Sequence, residues 1–389
     1  MEKLLEHYHR LIKDVDTNFL RYIYSNINWK SRLIGLTGAR GVGKTTLILQ
    51  HIKKELDINK ALYVTVEDFY FSTNKLMDLA DAFVKMGGKY LFIDEIHKYN
   101  NWSQELKLMY DYHPELNIIF TGSSVLDINK GASDLSRRAV MYQLRGLSFR
   151  EYLSLFHQIN SPVYTLEELL NHQVDIPELV HPLPYFQNYL ERGYYPFALE
   201  DEFEMRLQQV INQTLETDIP QYAEMNASTG RKLKQLLAII SQSVPFKPNF
   251  SSIAEMLGAS RNNISDYLMY LEDAQLIAQL RDATGGIRGM GKVDKVYLDN
   301  PNLIYTLAQH TPNIGNIRET FFFNQTKVVF DVVSPPSADF LINNLTFEVG
   351  GKNKGQKQIQ GIKDSFIVKD DVEFGFMNTI PLWQFGLLY

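Results

Sequence analysis

Residues 33–45 read LIGLTGARGVGKT. An apolar run from Leu33 to Leu36 breaks into a glycine-rich turn, and the following TTLILQHIKKEL repeats apolar side chains at helical spacing. Strand, loop and helix therefore follow one another, with Gly38, Gly43, Lys44 and Thr45 at the fixed positions of a phosphate-binding loop. The chemistry requires this layout. Backbone amides across Gly38, Ala39, Arg40, Gly41, Val42, Gly43, Lys44, Thr45 and Thr46 curl around phosphate oxygens, and the helix N-terminus adds positive potential. Lys44 is expected to reach the β- and γ-phosphates of ATP, and the Thr45 hydroxyl to ligate Mg2+.

Outward from this loop, the apolar runs ALYVTVED, KYLFIDEIH, LNIIFTGSS and AVMYQLRGLS read as buried strands. The amphipathic stretches TNKLMDLADAFVKMG and WSQELKLMYDYH lie among them. Strand and helix in alternation predict an α/β fold, a parallel sheet covered on both faces. In YLFIDEIH the buried strand delivers Asp94 to its C-terminal end, where ligands bind in such sheets. Asp94 is expected to hold Mg2+ through water, and Glu95 to polarise a water for attack on the γ-phosphate. The fourth strand ends in Thr121-Gly122-Ser123-Ser124, where a polar side chain can sense the γ-phosphate. Ser123 is the first choice for that role and Thr121 the second. Arg138, in Asp134-Leu135-Ser136-Arg137-Arg138, has two readings: a finger reaching a neighbouring subunit's site in a homo-oligomer, or a solvated surface arginine.

Composition is compatible with this and narrows the rest. The 389 residues suffice for several domains, and 45% apolar with 22% charged residues is ordinary for a globular protein. A net charge of −6 argues against a protein coated with nucleic acid but leaves room for a local basic groove. With no cysteine, disulfides, thiolate nucleophiles and Cys-ligated zinc are excluded. The start, MEKLLEHYHRLIKDVD, lacks a hydrophobic signal core, and no run approaches the ~18 apolar residues of a membrane span. A cytoplasmic protein without membrane contact is expected.

The runs GARGVGKTTLI, LFIDEIHKYNNWSQELKLMYD, IIFTGSS and SRRAVMYQLRGLSFREYL together resemble the archaeal-type P-loop ATPases of the AAA superfamily found in archaea and bacteria. The members in question carry a restriction-endonuclease-like tail after a winged helix. YLERGYYPFALE (189–200) is similar to a lid-region motif of the same family. The resemblance extends over nearly the whole chain and implies ATP hydrolysis that drives a conformational switch. It suggests an N-terminal helical segment (1–30), an AAA-type core (31–148), a helical lid (149–229), a winged helix (230–298) and a restriction-endonuclease-like domain (299–389).

Two of these segments carry residues of interest. In SSIAEMLGASRNNISDYL, Ile253, Ala254, Leu257, Ile264, Leu268 and Leu271 form one apolar face, and Gly258 allows the turn of a helix-turn-helix. LIAQLRDATGGIRGMGKVDKVYL then reads as a glycine-tipped hairpin, the wing. Arg261, Asn262 and Asn263 would face DNA bases, with Arg288 and Lys292 on phosphates. Asp266, Glu272 and Asp273 favour a packing module instead. In the tail, Glu319, Asp339 and Glu348 fall at the acidic positions of a nuclease site, while Gly350 stands where its lysine belongs. Lys352 is the replacement considered, with Gly350 and Gly351 giving the backbone freedom to swing it back. The alternatives are a compromised nuclease remnant and an active ATP-regulated nuclease. A nucleotide-gated interaction module without turnover is a further alternative for the whole chain.

Overall fold

The computed structural model describes residues 1–389 apart from 123–134, 136, 223–226, 243–244, 283–291 and 309–310. The chain divides into two compact units, Met1–Gly146 and Leu147–Tyr389.

The first unit is built on five strands, β1 (Leu33–Thr37), β2 (Ala61–Thr65), β3 (Tyr90–Asp94), β4 (Asn117–Gly122) and β5 (Val140–Gln143). Their order is β2-β3-β4-β1-β5, and every pair is parallel. Each strand of the apolar pattern expected above forms, but β5 lies at the edge of the sheet and is not the buried strand expected there. The central β1 is buried along its whole length because neighbours cover both edges and helices cover both faces. Gly35 is needed at its middle: a Cβ there would lie 2.4 Å from Met141 Sδ and 2.7 Å from Phe120 Cζ. Helices α1 (Glu2–Asp14), α3 (Leu76–Lys85) and α4 (Trp102–Tyr112) bury one stripe each, whereas α2 (Lys44–Glu55) is buried all round from Leu47 to Ile52. In α1 the stripe is Leu4, Tyr8 and Ile12, spaced four apart. The strand order puts β4 between the strand that feeds the phosphate loop and the strand that ends in Asp94.

In the second unit, the helices Phe250–Leu257 and Arg261–Asp273 meet at Gly258, whose φ of 55° lies in the left-handed region. All six apolar residues expected on their shared face are buried. An antiparallel ribbon follows, β6 (Ile277–Arg281) with β7 (Val293–Leu298). The hairpin tip, with Arg288, lies outside the described residues. A second sheet has the order β12-β11-β10-β9-β8, with β8 (Val332–Val333), β9 (Phe340–Ile342) and β10 (Leu345–Gly350) antiparallel, and β11 (Ser365–Lys369) and β12 (Thr379–Pro381) continuing parallel to β10. Among the described residues no helix is long and apolar enough to cross a membrane.

One aromatic core unites segments that read as separate in the sequence. Phe149 and Phe186 pack edge to face at 5.4 Å, Phe186 meets Phe321 at 4.7 Å, and Phe322 meets Phe385 at 4.7 Å. The last residues of the chain are buried in it, and the Tyr389 carbonyl accepts from Ser148 Oγ (2.9 Å) and Arg150 Nε (2.8 Å). Phe385 is fully buried between Phe322 and Phe347. Phe385→Ala should cost this unit about 3–5 kcal/mol, measured as a lower urea midpoint in the emission of Trp383, the tryptophan of this unit.

Candidate active site

The phosphate loop joins β1 to α2, and its shape depends on Gly38. A Cβ at this residue would lie 2.3 Å from the Leu144 carbonyl oxygen, a backbone atom with nowhere to move. Gly41 (φ 79°) and Gly43 (φ 94°) supply the left-handed turns, Gly43 as the N-cap of α2. Lys44 is buried, and its Nζ donates to the carbonyls of Gly38 and Ala39 at 2.9 Å each, so the ammonium lies folded along the loop that it serves. From outside the loop, Arg21 grips the Val42 carbonyl (2.6 Å) and, at the end of this unit, those of Arg145 (2.7 Å) and Gly146 (2.8 Å). Sequence reading missed Arg21. It is buried and stands before any motif, and nothing in its neighbours marks it.

Asp94 ends β3 with only 4% of its surface exposed, and its carboxylate is saturated with donors. Thr45 Oγ1 (2.6 Å) and Tyr63 Oη (2.8 Å) donate to Oδ2. The Thr121 hydroxyl and the Glu95 amide (3.2 Å) donate to Oδ1. Thr45, Asp94 and Thr121, expected from the sequence, thus converge, and Tyr63 of β2 joins them unannounced. Burial and then the Asp94 charge hold the Tyr63 phenol well above its ordinary range, so it stays a proton donor. Glu95 follows at φ 55°, a left-handed conformation that turns its carboxylate off the strand line, with Oε2 3.7 Å from His97 Nε2. Ser123 lies outside the described residues. Arg138 forms a two-pronged pair with Asp111 of α4, Nε to Oδ1 at 3.1 Å and Nη2 to Oδ2 at 3.0 Å.

The acids of the second unit converge elsewhere, and on lysines. Lys295, from β7, stands 3.7 Å from Glu319 and 3.3 Å from Asp339, while the Tyr297 hydroxyl donates to Glu319 (2.8 Å). Lys352 is exposed; the lysine that reaches Glu348 is Lys354, at 2.5 Å. The glycines explain this differently from the expectation. Neither has a positive φ, and their use is space: a Cβ on Gly350 would meet the Lys354 stem at 2.5 Å, and one on Gly351 would meet Arg318 at 2.7 Å. Lys354 therefore lies across the gap that Gly350 leaves. Among the described residues no group of three or more His, Cys, Asp or Glu side chains is arranged to hold a metal ion. In the helix-turn-helix, Arg261, Asn262 and Asn263 are exposed at the start of their helix. Glu272 is spent internally on Gln279 and Arg281.

Residues 30–153 match the family model described as an AAA domain, and residues 183–313 match a domain of unknown function, DUF8612. An uncharacterized protein of Methanocaldococcus jannaschii is 30% identical over 273 residues, which are 65% of this chain and 57% of that protein; the chain thus spans little more than half of its relative. Solved structures with similarity include PCH-2 of C. elegans (16% identity, 70% of this chain and 66% of that one, TM-score 0.27) and AMPPCP-bound DnaA from Aquifex aeolicus (12% identity, 70% and 88%, TM-score 0.26). The Hsp104–ADP complex of S. cerevisiae is a third (18% identity, 70% and 39%, TM-score 0.29). The AAA-domain match over residues 30–153, the all-parallel sheet and the phosphate loop together fit an AAA-type P-loop core.

Gly38→Ala should displace the loop from Leu144 and weaken nucleotide binding at least about tenfold, or ~1.4 kcal/mol, read by titration with a fluorescent nucleotide. Burial, followed by the nearby Asp339 charge, raises the Glu319 carboxyl from 4.5 to about 7, against the pull of Lys295. The folded chain then holds a proton that the unfolded chain releases, so stability from this group is full below 4.5 and is lost as pH rises through about 7. Lys295→Met removes the opposing charge and should cost about 3 kcal/mol at pH 8, and distinctly less at pH 5, by urea denaturation at the two pH values.

Proposed function

We propose that the protein binds ATP with Mg2+ at the phosphate loop and hydrolyses it, using the cycle as a conformational switch. The observation that carries this reading is the meeting of Lys44, Thr45, Asp94 and Glu95 at the C-terminal edge of one parallel sheet, inside a region that matches an AAA domain. The donor set suits the cation. Thr45 Oγ1 and the Asp94 carboxylate are hard oxygens within 2.6 Å of one another, and Mg2+ takes one or two such groups beside phosphate and water. Thr45 and Asp94 would hold the ion, whose positive charge would offset the negative charge of the triphosphate.

The chain's own groups do the remainder. Lys44 exchanges the Gly38 and Ala39 carbonyls for phosphate oxygens. The loop amides orient the triphosphate along the α2 N-terminus. Glu95 accepts a proton from the water that attacks the γ-phosphorus as the bond to the leaving ADP oxygen breaks. Thr121, fixed on Asp94, holds the strand end on which that geometry depends. Ser123 and Arg138 remain the candidates for a γ-phosphate sensor and for a finger acting between subunits of a homo-oligomer.

DNA is the candidate partner of the second unit, because Arg261, Asn262 and Asn263 are exposed where a helix-turn-helix reads bases. We read Glu319, Asp339 and Glu348 as a nuclease-derived cluster in which Lys295 and Lys354 take the positive role, without cleavage.

Steady-state ATP hydrolysis of the wild type, Lys44→Ala and Glu95→Gln tests the main reading, with and without duplex DNA. Glu95→Gln should bind ATP and lose turnover by about 100-fold or more, and Lys44→Ala should lose binding. Wild-type turnover in Glu95→Gln would sink the assigned mechanism. ATP binding with no wild-type turnover would leave the interaction module, and stimulation by DNA would support the partner.

A further inference from the structure

A carboxylate offers about four lone-pair positions to donors, and Asp94 receives four: two hydroxyls on Oδ2, a hydroxyl and an amide on Oδ1. A buried acid with every acceptor position taken has no room for the water of an incoming cation. One donor must yield. The Glu95 amide is fixed by the backbone of the same segment. Thr121 is held by β4 and lies within 3.4 Å of that same amide. Thr45 can turn its oxygen toward the cation while its hydrogen stays on Asp94, so its bond survives loading. Tyr63 alone among the four has no second task at the site: its hydroxyl does nothing but occupy Oδ2.

We propose that Tyr63 is a positioning residue that sets how readily this site takes up its divalent cation, because its hydroxyl competes with cation-borne water for Asp94 Oδ2. The inference rests on the Mg2+–ATP reading above and names a control on that same site. Tyr63 lies in β2 with only 5% of its surface exposed, which keeps its hydroxyl beside Asp94. Its hydroxyl satisfies a buried carboxylate, a service that a cation held at Asp94 would make redundant. The phenol remains protonated throughout the neutral range, so the competition is set by geometry and not by pH.

The test is titration of Mn2+, standing in for Mg2+, into the full-length protein saturated with ADP, with free Mn2+ read by electron paramagnetic resonance. Tyr63→Phe removes the hydroxyl and keeps the ring. The Mn2+ concentration for half-saturation should fall by at least about threefold, the effect of deleting one competing hydrogen bond, while ADP affinity in EDTA stays within about twofold. Tyr63→Met, which also lacks the hydroxyl, should move in the same direction. A half-saturation that is unchanged or higher in both variants overturns the inference, since a merely structural tyrosine would weaken cation binding when lost. The underlying reading fails separately and visibly in the wild type. If its nucleotide affinity is indifferent to Mn2+, the cation–ATP assignment falls and this inference falls with it.

Discussion

The first unit depends on one carboxylate. Asp94 gathers a hydroxyl from α2, one from β2, one from β4 and the amide that follows its own strand, so four elements are tied at a single buried charge. Hydrogen bonds to an ionised acceptor are the strong ones, and a charge this buried is tolerable only with such a shell. The shell ties the first turn of α2, the backbone at Glu95 and the end of β4 to one point. Lys44 meanwhile lies on the carbonyls of its own loop.

Arg21 performs a related service with the opposite sign. Its guanidinium is buried against three backbone carbonyls, one in the phosphate loop and two where the unit ends. A planar fork of donors can satisfy several carbonyls at once, which a lysine could not do in the same geometry. The loop is therefore restrained from both sides, by Gly38 against the Leu144 carbonyl and by Arg21 on Val42.

In the second unit the constraint is again charge burial, met with ammonium groups. Glu348 is 1% exposed, and Lys354 stands beside it because Gly350 leaves the lysine stem a path. Lys295 serves Glu319 and Asp339 from β7 of the ribbon, joining it to the helix Ile314–Thr326 and to the residue that leads into β9. Phe186 bridges Phe149 and Phe321, and Phe322 packs on Phe385, so these aromatic contacts make the segments interdependent.

The local pieces were legible because their signals are contiguous. A phosphate loop is a run of backbone amides and must be written in adjacent residues, and a buried parallel strand must be an apolar run. Thus β1 to β5, Lys44, Thr45, Asp94 and Glu95 could all be named from the sequence, as could the apolar face about Gly258. What only the tertiary structure decided concerns residues that meet across the fold. Tyr63 reaches Asp94 because β2 pairs with β3, a neighbour relation that no spacing encodes. Arg21, Lys295 and Lys354 find their partners across 21, 24 and 6 positions of chain or more. Periodicity shows which face a side chain leaves by; strand order, register and the space left by a missing Cβ decide what it meets there.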